Sequence, residues 1–169
     1  MEGDPLAGRV ARFHELQGND ALLVDTAIPR FARTIWSIIG RNVGEDRDER
    51  PPIPADGFHL AVIKAPPGNG TALHDHVTTE VFMPLTGRWL VLYGEDGGQE
   101  LVLEQWDVCS VPAGVWRGFR NIGEEDAILL AVIGGTDPGR ITWAPGVLEE
   151  AARHGRRLAD DGYLTVAKP

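Results

Sequence analysis

The stretch 57–134 is a succession of short apolar runs, each ended by glycine, proline or charged residues. Many short runs at near-regular spacing are typical of strands in an all-β sandwich or barrel. Units of the βαβ type would need helical patterns between the runs, and the intervening residues do not show them. The predicted strands are 58–65, 80–85, 88–93, 100–103, 107–111, 115–120 and 127–133.

The whole chain of 169 residues is long enough to bury one core, and we expect a single domain over 1–169. Its parts would be an N-terminal extension with a first strand (1–56), a barrel core (57–134) and a C-terminal extension (135–169).

The two extensions show different patterns from the centre. Leu6, Val10, Phe13 and Leu16 fall at helical spacing and predict a short amphipathic helix. The run 33–40 is rich in β-branched and aromatic residues and predicts a first strand, with a helix as the open alternative.

Residues 44–56 carry many charges and three prolines, which predicts an exposed loop. After the barrel core, Pro145 can begin a helix that includes Val147 and Leu148 and ends near Gly155. We expect this helix to cover a flank or an edge of the barrel. The expected fold is therefore an all-β barrel with short helical extensions at both ends.

The charge balance restricts the partners of this chain. Sixteen lysines and arginines against 25 aspartates and glutamates give a net charge of -9, which disfavours nucleic acid as a partner. No apolar run is long enough to cross a bilayer, and the N-terminus lacks a signal-peptide pattern. The single cysteine, Cys109, forms no internal disulfide, which fits a reducing compartment. We expect a cytoplasmic location and no membrane partner.

Five residues at a defined spacing indicate the chemistry of this chain. Five residues separate Gly68 from His74, one separates His74 from His76, three precede Glu80 and six more precede Gly87. The chance of this pattern in such a composition is on the order of one in several thousand. Alternation along a strand puts both histidines on one face, and two imidazoles with a carboxylate suit transition metals. His74, His76 and Glu80 are therefore the predicted metal ligands.

This spacing resembles the first sequence motif of the cupin superfamily, and 112–114 with Asn121 resembles the second. Together they cover 68–121, about a third of the chain. The resemblance implies a double-stranded β-helix, or jelly-roll, barrel. It also implies that iron, manganese, nickel, copper or zinc is bound by two histidines, the glutamate and a further histidine from the second motif.

The second motif departs from the family at two positions. Trp106 stands where the motif begins with glycine, and Arg117 stands where it places the fourth ligand. Arginine stays protonated and cannot bind a metal.

Two side-chain conformations of Arg117 are compatible with the sequence. Turned aside, it leaves a three-ligand metal with open positions and clamps a substrate carboxylate or phosphate. Turned inward, it pairs with Glu80 and excludes the cation, because two positive centres about 4 Å apart in a poorly solvated barrel repel by several kcal/mol. We favour the first, since an abandoned site would not need three residues at ligand spacing.

Further pocket residues follow from strand alternation. Phe119 shares the inner face with Arg117, and Phe82 shares a face with Glu80. We expect both rings to line an apolar substrate pocket, although each taken alone also fits a core position. His59 precedes the motif on its own strand, and it would be a replacement ligand, a general base or a substrate contact if it faces the interior.

These residues predict a metal-dependent enzyme that acts on a small, anionic and partly aromatic molecule. A non-haem Fe(II) dioxygenase is the favoured case, with Arg117 orienting the acid group and Mn, Zn or Ni as alternative metals. The alternatives are a ligand-binding or sensory barrel without catalysis, and an isomerase or lyase that uses Zn(II) or Mn(II). We also expect a homodimer that pairs through exposed strand edges, with 33–40 as a contributor.

Overall fold

The computed structural model describes residues 4–165 and contains mostly strands. The strands within that range are β1 (Thr34–Ile39), β2 (Phe58–Ala65), β3 (His74–Asp75), β4 (Glu80–Pro84), β5 (Trp89–Tyr93), β6 (Gln99–Leu103), β7 (Cys109–Val111), β8 (Arg117–Asn121), β9 (Ala127–Gly134) and β10 (Thr142–Trp143). They form two five-stranded sheets, in the orders β1-β2-β9-β4-β7 and β10-β3-β8-β5-β6. All the pairings within these sheets are antiparallel. The predicted all-β double-stranded barrel is confirmed.

The seven predicted runs correspond to β2 and to the six strands from β4 to β9. In β9 every second residue is buried, from Ala127 to Ile133, as expected for a strand with one face on the core. The short strands β3 and β10 pair with each other, Trp143 opposite His74. Neither has an apolar run that would have marked it in the sequence.

Aromatic side chains from both sheets meet in the core. The Phe119 ring from β8 lies 5.4 Å from the ring of Phe82 and 5.7 Å from that of Trp89, both edge to face. All three side chains are buried. This arrangement joins the two sheets, since Phe82 belongs to one and the other two rings to the second.

The predicted N-terminal helix is wrong. Residues Phe13–Glu15 form a single 3₁₀ turn, and the side chains of Leu6, Val10 and Phe13 are exposed. Gly8 adopts a left-handed φ of 70°, which interrupts helical geometry. A short helix depends on packing of its apolar face, and the only ring stacked on Phe13 among the described residues is Trp36, 5.2 Å away.

The extension instead contains the 3₁₀ turns Val24–Ala27 and Pro29–Phe31, followed by the predicted first strand, β1. β1 lies at the edge of its sheet, where Asn19 bridges Ile35 and Ile53 bridges Ile39. These bridges cover part of the edge. The homodimer through this strand stays a prediction.

The C-terminal helix is confirmed as α1 (Val147–Arg153), which begins directly after Pro145 and Gly146. Ala151 is fully buried, and α1 packs against the 3₁₀ turn Val24–Ala27. Its partner is therefore the N-terminal extension, not an open strand edge of the barrel. Among the residues that the structure describes, no helix has the length and apolar character to span a bilayer.

The predicted exposed loop at 44–56 is only partly exposed. Glu45 and Ile53 are buried. The Glu45 carboxylate accepts hydrogen bonds from the backbone N–H of Val24 and, at 2.9 Å, from the indole N–H of Trp143. Two donors make its burial tolerable, which composition alone does not reveal. Glu45 therefore joins the N-terminal extension to β10.

Glu45 makes stability depend on pH. Burial raises the pKa of Glu45 from 4.5 to about 7. The stability linked to its proton is present in full below pH 4.5 and is lost as pH rises through 7, because the unfolded chain releases the proton first. We expect the non-titrating Glu45→Gln variant to gain about 2 to 3 kcal/mol relative to wild type between pH 5 and pH 8. Urea unfolding at both pH values checks this, and a constant difference would contradict it.

Candidate metal centre

His74, His76 and Glu80 come together at one end of the barrel. His74 lies on β3, His76 directly after it, and Glu80 begins β4 on the facing sheet. One nitrogen from each histidine and one carboxylate oxygen all lie within 4.8 Å of one another, and the three side chains are buried. The structure thus brings together the three residues that the motif spacing predicts.

The His74 ring is held in one orientation. Its Nδ1 lies 2.8 Å from the Ala72 carbonyl, to which it donates, so Nε2 keeps its lone pair. The ring packs 5.4 Å from that of Trp143. Burial lowers the pKa of His74 to about 4. At neutral pH the imidazole is therefore uncharged, the form that binds metals.

Glu80 and His76 contact each other directly. His76 Nε2 lies 3.1 Å from Glu80 Oε2, and His76 Nδ1 lies 3.0 Å from the Thr78 hydroxyl. Burial acts to raise the pKa of Glu80, but the hydrogen bond from His76 and the surrounding charges bring it below its usual value. Glu80 is therefore an ionised carboxylate inside the barrel.

Arg117 points inward and is fully buried. It lies opposite His74 in the register of β3 and β8. Its Nε donates to Glu80 Oε2 at 3.2 Å, and one terminal nitrogen lies 2.8 Å from His76 Nε2. This is the inward conformation of the two that the sequence allowed. The favoured interpretation, in which Arg117 turns aside, is not the conformation observed.

The remaining contacts explain why Arg117 is stable in this position. One terminal nitrogen donates to the Val115 carbonyl at 2.8 Å and lies 3.4 Å from Asp75 Oδ1, and the other lies 3.4 Å from the Thr78 carbonyl. A buried guanidinium needs acceptors for its N–H groups, and each of the three Arg117 nitrogens contacts at least one protein oxygen here. Its donors therefore face protein groups in this conformation.

The donor set still fits a divalent cation, because it offers two imidazoles and an ionised carboxylate. A divalent cation about 4 Å from the guanidinium would be repelled by about 8 kcal/mol at an effective dielectric constant near 20, before nearby carboxylates offset it. Asp75 lies within reach of Arg117 and gives it a second carboxylate when Glu80 binds the metal. The residues thus fit a three-ligand site that Arg117 weakens.

A cavity of about 50 Å³ adjoins His74 and Glu80. Phe119 is part of its lining, as predicted, whereas Phe82 is not among the lining residues and lies behind Phe119 in the core. The other walls are mainly aliphatic, and the segment 42–44 closes one side. This volume is far below the range of about 300 to 1,000 Å³ that small-molecule sites have, so the cavity alone does not hold an organic substrate.

His59 does not join the metal ligands. Its Nδ1 accepts a hydrogen bond from the backbone N–H of Asn42, and its Nε2 lies 3.2 Å from the Thr136 carbonyl. It lines a separate cleft on the outside of the cavity wall. It is buried on the inner face of β2, which was the condition for a role in the site, but both ring nitrogens have protein partners.

A buried ion pair behind His74 was missed by the sequence analysis. Asp25 accepts two hydrogen bonds of 3.0 Å from Arg33, one of 2.9 Å from Thr71 and one of 3.0 Å from the Ala72 backbone N–H. The carbonyl of Ala72 is the group that orients His74. Asp25 and Arg33 lie outside both motifs, and no spacing signal marks them.

Trp106 is one of the two departures from the second motif, and its backbone conformation shows why the motif has glycine there. Its φ is 72°, in the left-handed region that favours glycine, which is the residue that the motif places there. The side chain is 63% exposed, so the substitution strains the backbone without disturbing the core.

Comparison with known proteins agrees with this geometry. The cupin domain family model matches residues 61–133. A solved oxalate oxidase shares 22% identity at a TM-score of 0.60, over 86% of this chain and 67% of its own. The polyketide cyclase RemF from Streptomyces resistomycificus shares 15% identity at a TM-score of 0.61, over 91% of this chain and 89% of its own.

A cupin 2 domain-containing protein from Halorhodospira halophila has a TM-score of 0.54 at 19% identity, over 73% of this chain and 76% of its own. At these identities the likeness concerns the fold. Comparison of the sequence with curated proteins finds no match. The family match across the barrel strands, the shared jelly-roll fold and the first motif agree, and residues 61–133 form a cupin domain.

Proposed function

We propose that the protein is a metal-dependent enzyme acting on a small anionic organic molecule, with non-haem Fe(II) dioxygenase chemistry as the favoured case. The observation that carries the proposal is the convergence of the donor atoms of His74, His76 and Glu80 within 4.8 Å, next to an internal cavity. These residues would bind Fe(II), or else Mn, Zn or Ni. Bound there, the metal would supply Lewis-acid and redox chemistry.

The protein side chains would orient and shield this centre. The bond from His74 to Ala72 fixes the nitrogen that faces the site. Phe119 and its aliphatic neighbours exclude water from the cavity, which strengthens electrostatic interactions there. We propose Arg117 as the catalytic and substrate-orienting cation. It would stabilise negative charge on the substrate from its place beside Glu80, and contact an acid group directly when Glu80 binds the metal.

The anionic character of the substrate has support from a second solved oxalate oxidase, which is in complex with the substrate analogue glycolate. That protein has the same fold, with a TM-score of 0.60 at 21% identity. The cavity of about 50 Å³ has room for a dioxygen-sized molecule. An organic substrate would then need additional space outside it.

Oxygen uptake tests the proposal. Protein without a tag would be loaded anaerobically with Fe(II) and mixed with oxalate, glycolate, catechols, diketones and aryl carboxylates in an oxygen electrode. We expect substrate-dependent oxygen consumption that His76→Ala abolishes and that His14→Ala, an exposed histidine, leaves unchanged. Absence of both Fe(II) retention and oxygen uptake would contradict the proposal. Turnover of a substrate without oxygen consumption would identify the isomerase or lyase alternative with Zn(II) or Mn(II).

A ligand-binding barrel without catalysis is the second candidate, and the position of Arg117 favours it. The guanidinium occupies the site with all its donor groups contacting protein atoms, an arrangement that is complete without a metal. Thermal shift measurements distinguish the two functions. Equal stabilisation by organic anions with and without metal would favour the binding protein, whereas metal-dependent stabilisation would favour the enzyme.

A further inference from the structure

A cleft of about 590 Å³ opens beside the barrel, outside the cavity at the metal centre. Its volume lies in the range of small-molecule sites. Residues 40–42, the proline-containing loop at 51–55, the segment 136–140 and Tyr163 form its walls together with His59. None of the roles described above uses this cleft.

The cleft lies at the same end of the barrel as the metal centre. Ile133 on β9 is opposite Glu80 on one side and opposite His59 on the other. Two strand spacings therefore separate Glu80 from His59, a distance of about 10 Å. A molecule of that length reaches from the cleft to the ligands.

Asn42 stands between the two spaces, because it lines both the cleft and the inner cavity. Its φ of 52° is left-handed, a conformation that non-glycine residues rarely adopt. The amide oxygen and nitrogen of its side chain are buried and have no hydrogen-bond partner among residues 4–165. Strain and unpaired polar atoms of this kind are characteristic of positions that contact a ligand.

Two arginines give the cleft its charge. The Arg140 guanidinium lies 4.1 Å from the Tyr163 ring and, within the described part of the chain, forms no hydrogen bond or ion pair. Arg41 donates to the Asp46 carbonyl, and its Nε is buried without a partner in the same part of the chain. The carboxylate on the cleft wall, Asp137, accepts the N–H of Gly139.

The lining side chains therefore carry one more positive than negative charge, in a protein with a net charge of -9. A local excess of positive charge on an otherwise acidic protein favours anions there. An arginine guanidinium binds a carboxylate through two parallel hydrogen bonds. The wall also contains Pro51, Ile53 and Pro54, which suit an apolar organic body.

We propose that Arg41 and Arg140 bind the carboxylate of an organic acid in this cleft, and that the remainder of the molecule passes Asn42 toward His74 and Glu80. The class is a carboxylate with an apolar body that spans about 10 Å, such as an aryl or cinnamic acid. Only the placement of the far end of the molecule beside His74 and Glu80 rests on the proposed function. The carboxylate site itself needs no metal.

Calorimetric titration of metal-free, full-length protein tests the site, with 4-hydroxycinnamate and its neutral amide as probes. We expect the acid to bind at least tenfold more tightly than the amide. Arg140→Gln is expected to weaken binding of the acid at least tenfold and to leave the amide unchanged, with Arg140→Lys intermediate. Arg140 is exposed, so these variants should fold, which circular dichroism verifies.

Arg47→Gln is the matched control. Arg47 lies over the same ring, 4.4 Å from its centre, but pairs with Asp161 and does not line the cleft. We expect its affinity to stay within twofold of wild type. Equal affinities for acid and amide, an unaffected Arg140→Gln variant, or no binding of either probe would overturn the assignment. Because the protein is metal-free, these outcomes are independent of the Fe(II) and oxygen experiment.

Discussion

Replacing Arg117 with histidine is expected to raise the affinity for Zn(II) or Fe(II) by a factor of about 100 to 1000. The substitution removes a guanidinium whose repulsion of a divalent cation amounts to about 8 kcal/mol, an effect that the Asp75 carboxylate offsets in part. It also introduces a third imidazole, and thus a fourth ligand, opposite His74 in the strand register. Competition with a chromophoric chelator measures the dissociation constant.

Arg117→Gln separates the two contributions, because it removes the charge without adding a good ligand. We expect it to give a smaller increase than histidine. Arg120→His provides the matched control, since Arg120 is on the same strand with its side chain exposed. If wild type, Arg117→His and Arg117→Gln bound the metal equally well, Arg117 would not be the residue that weakens the site.

Removal of Asp25 is expected to have the largest effect on stability, about 3 to 5 kcal/mol in the Asp25→Ala variant. The Arg33 side chain would keep its charge at 1% exposure without its carboxylate. The hydroxyl of Thr71 and the N–H of Ala72 would lose their shared acceptor as well. Urea unfolding monitored by fluorescence measures the change in the free energy of unfolding.

The double variant Asp25→Leu with Arg33→Met tests the cause of that loss. Replacing both members of a buried ion pair by apolar residues is far less costly than removing one of them. We therefore expect the double variant to recover most of the stability. A loss below about 1 kcal/mol in Asp25→Ala would show that the pair is not the anchor of the N-terminal extension.

The parts of the fold that could be predicted are those determined by residues close together in the sequence. Alternating burial in β9 and the turn residues between runs mark the strands, because both depend on neighbours in sequence. The ligand motif was readable for the same reason. His74, His76 and Glu80 are separated by only a few residues, and the short connection from β3 to β4 brings their side chains together.

The parts that could not be predicted depend on contacts between distant segments. The apolar spacing of Leu6, Val10 and Phe13 resembles a helix, yet the fold gives that face no surface on which to be buried. Glu45 looks like part of a solvated loop, but Trp143 and Val24 supply the donors that bury it. Composition contains no information about such partners.

Arg117 shows the same limit inside the site. The sequence established that a guanidinium stands where a fourth ligand is expected, and left its direction open. That direction follows from the Val115 carbonyl and Asp75, which hold it inward. His59 likewise faces the interior, but Asn42 and Thr136 bind its ring nitrogens away from the metal ligands.

Metal binding by the triad is tested most directly by titrating chelator-stripped protein with Zn(II) and with Fe(II) under anaerobic conditions, with elemental analysis of the separated protein. The three converging donor groups predict one tightly bound ion per chain in wild type, which His76→Ala loses and His14→Ala retains. Protein that takes up no stoichiometric metal, or that keeps it after His76→Ala, would contradict a metal centre at His74, His76 and Glu80.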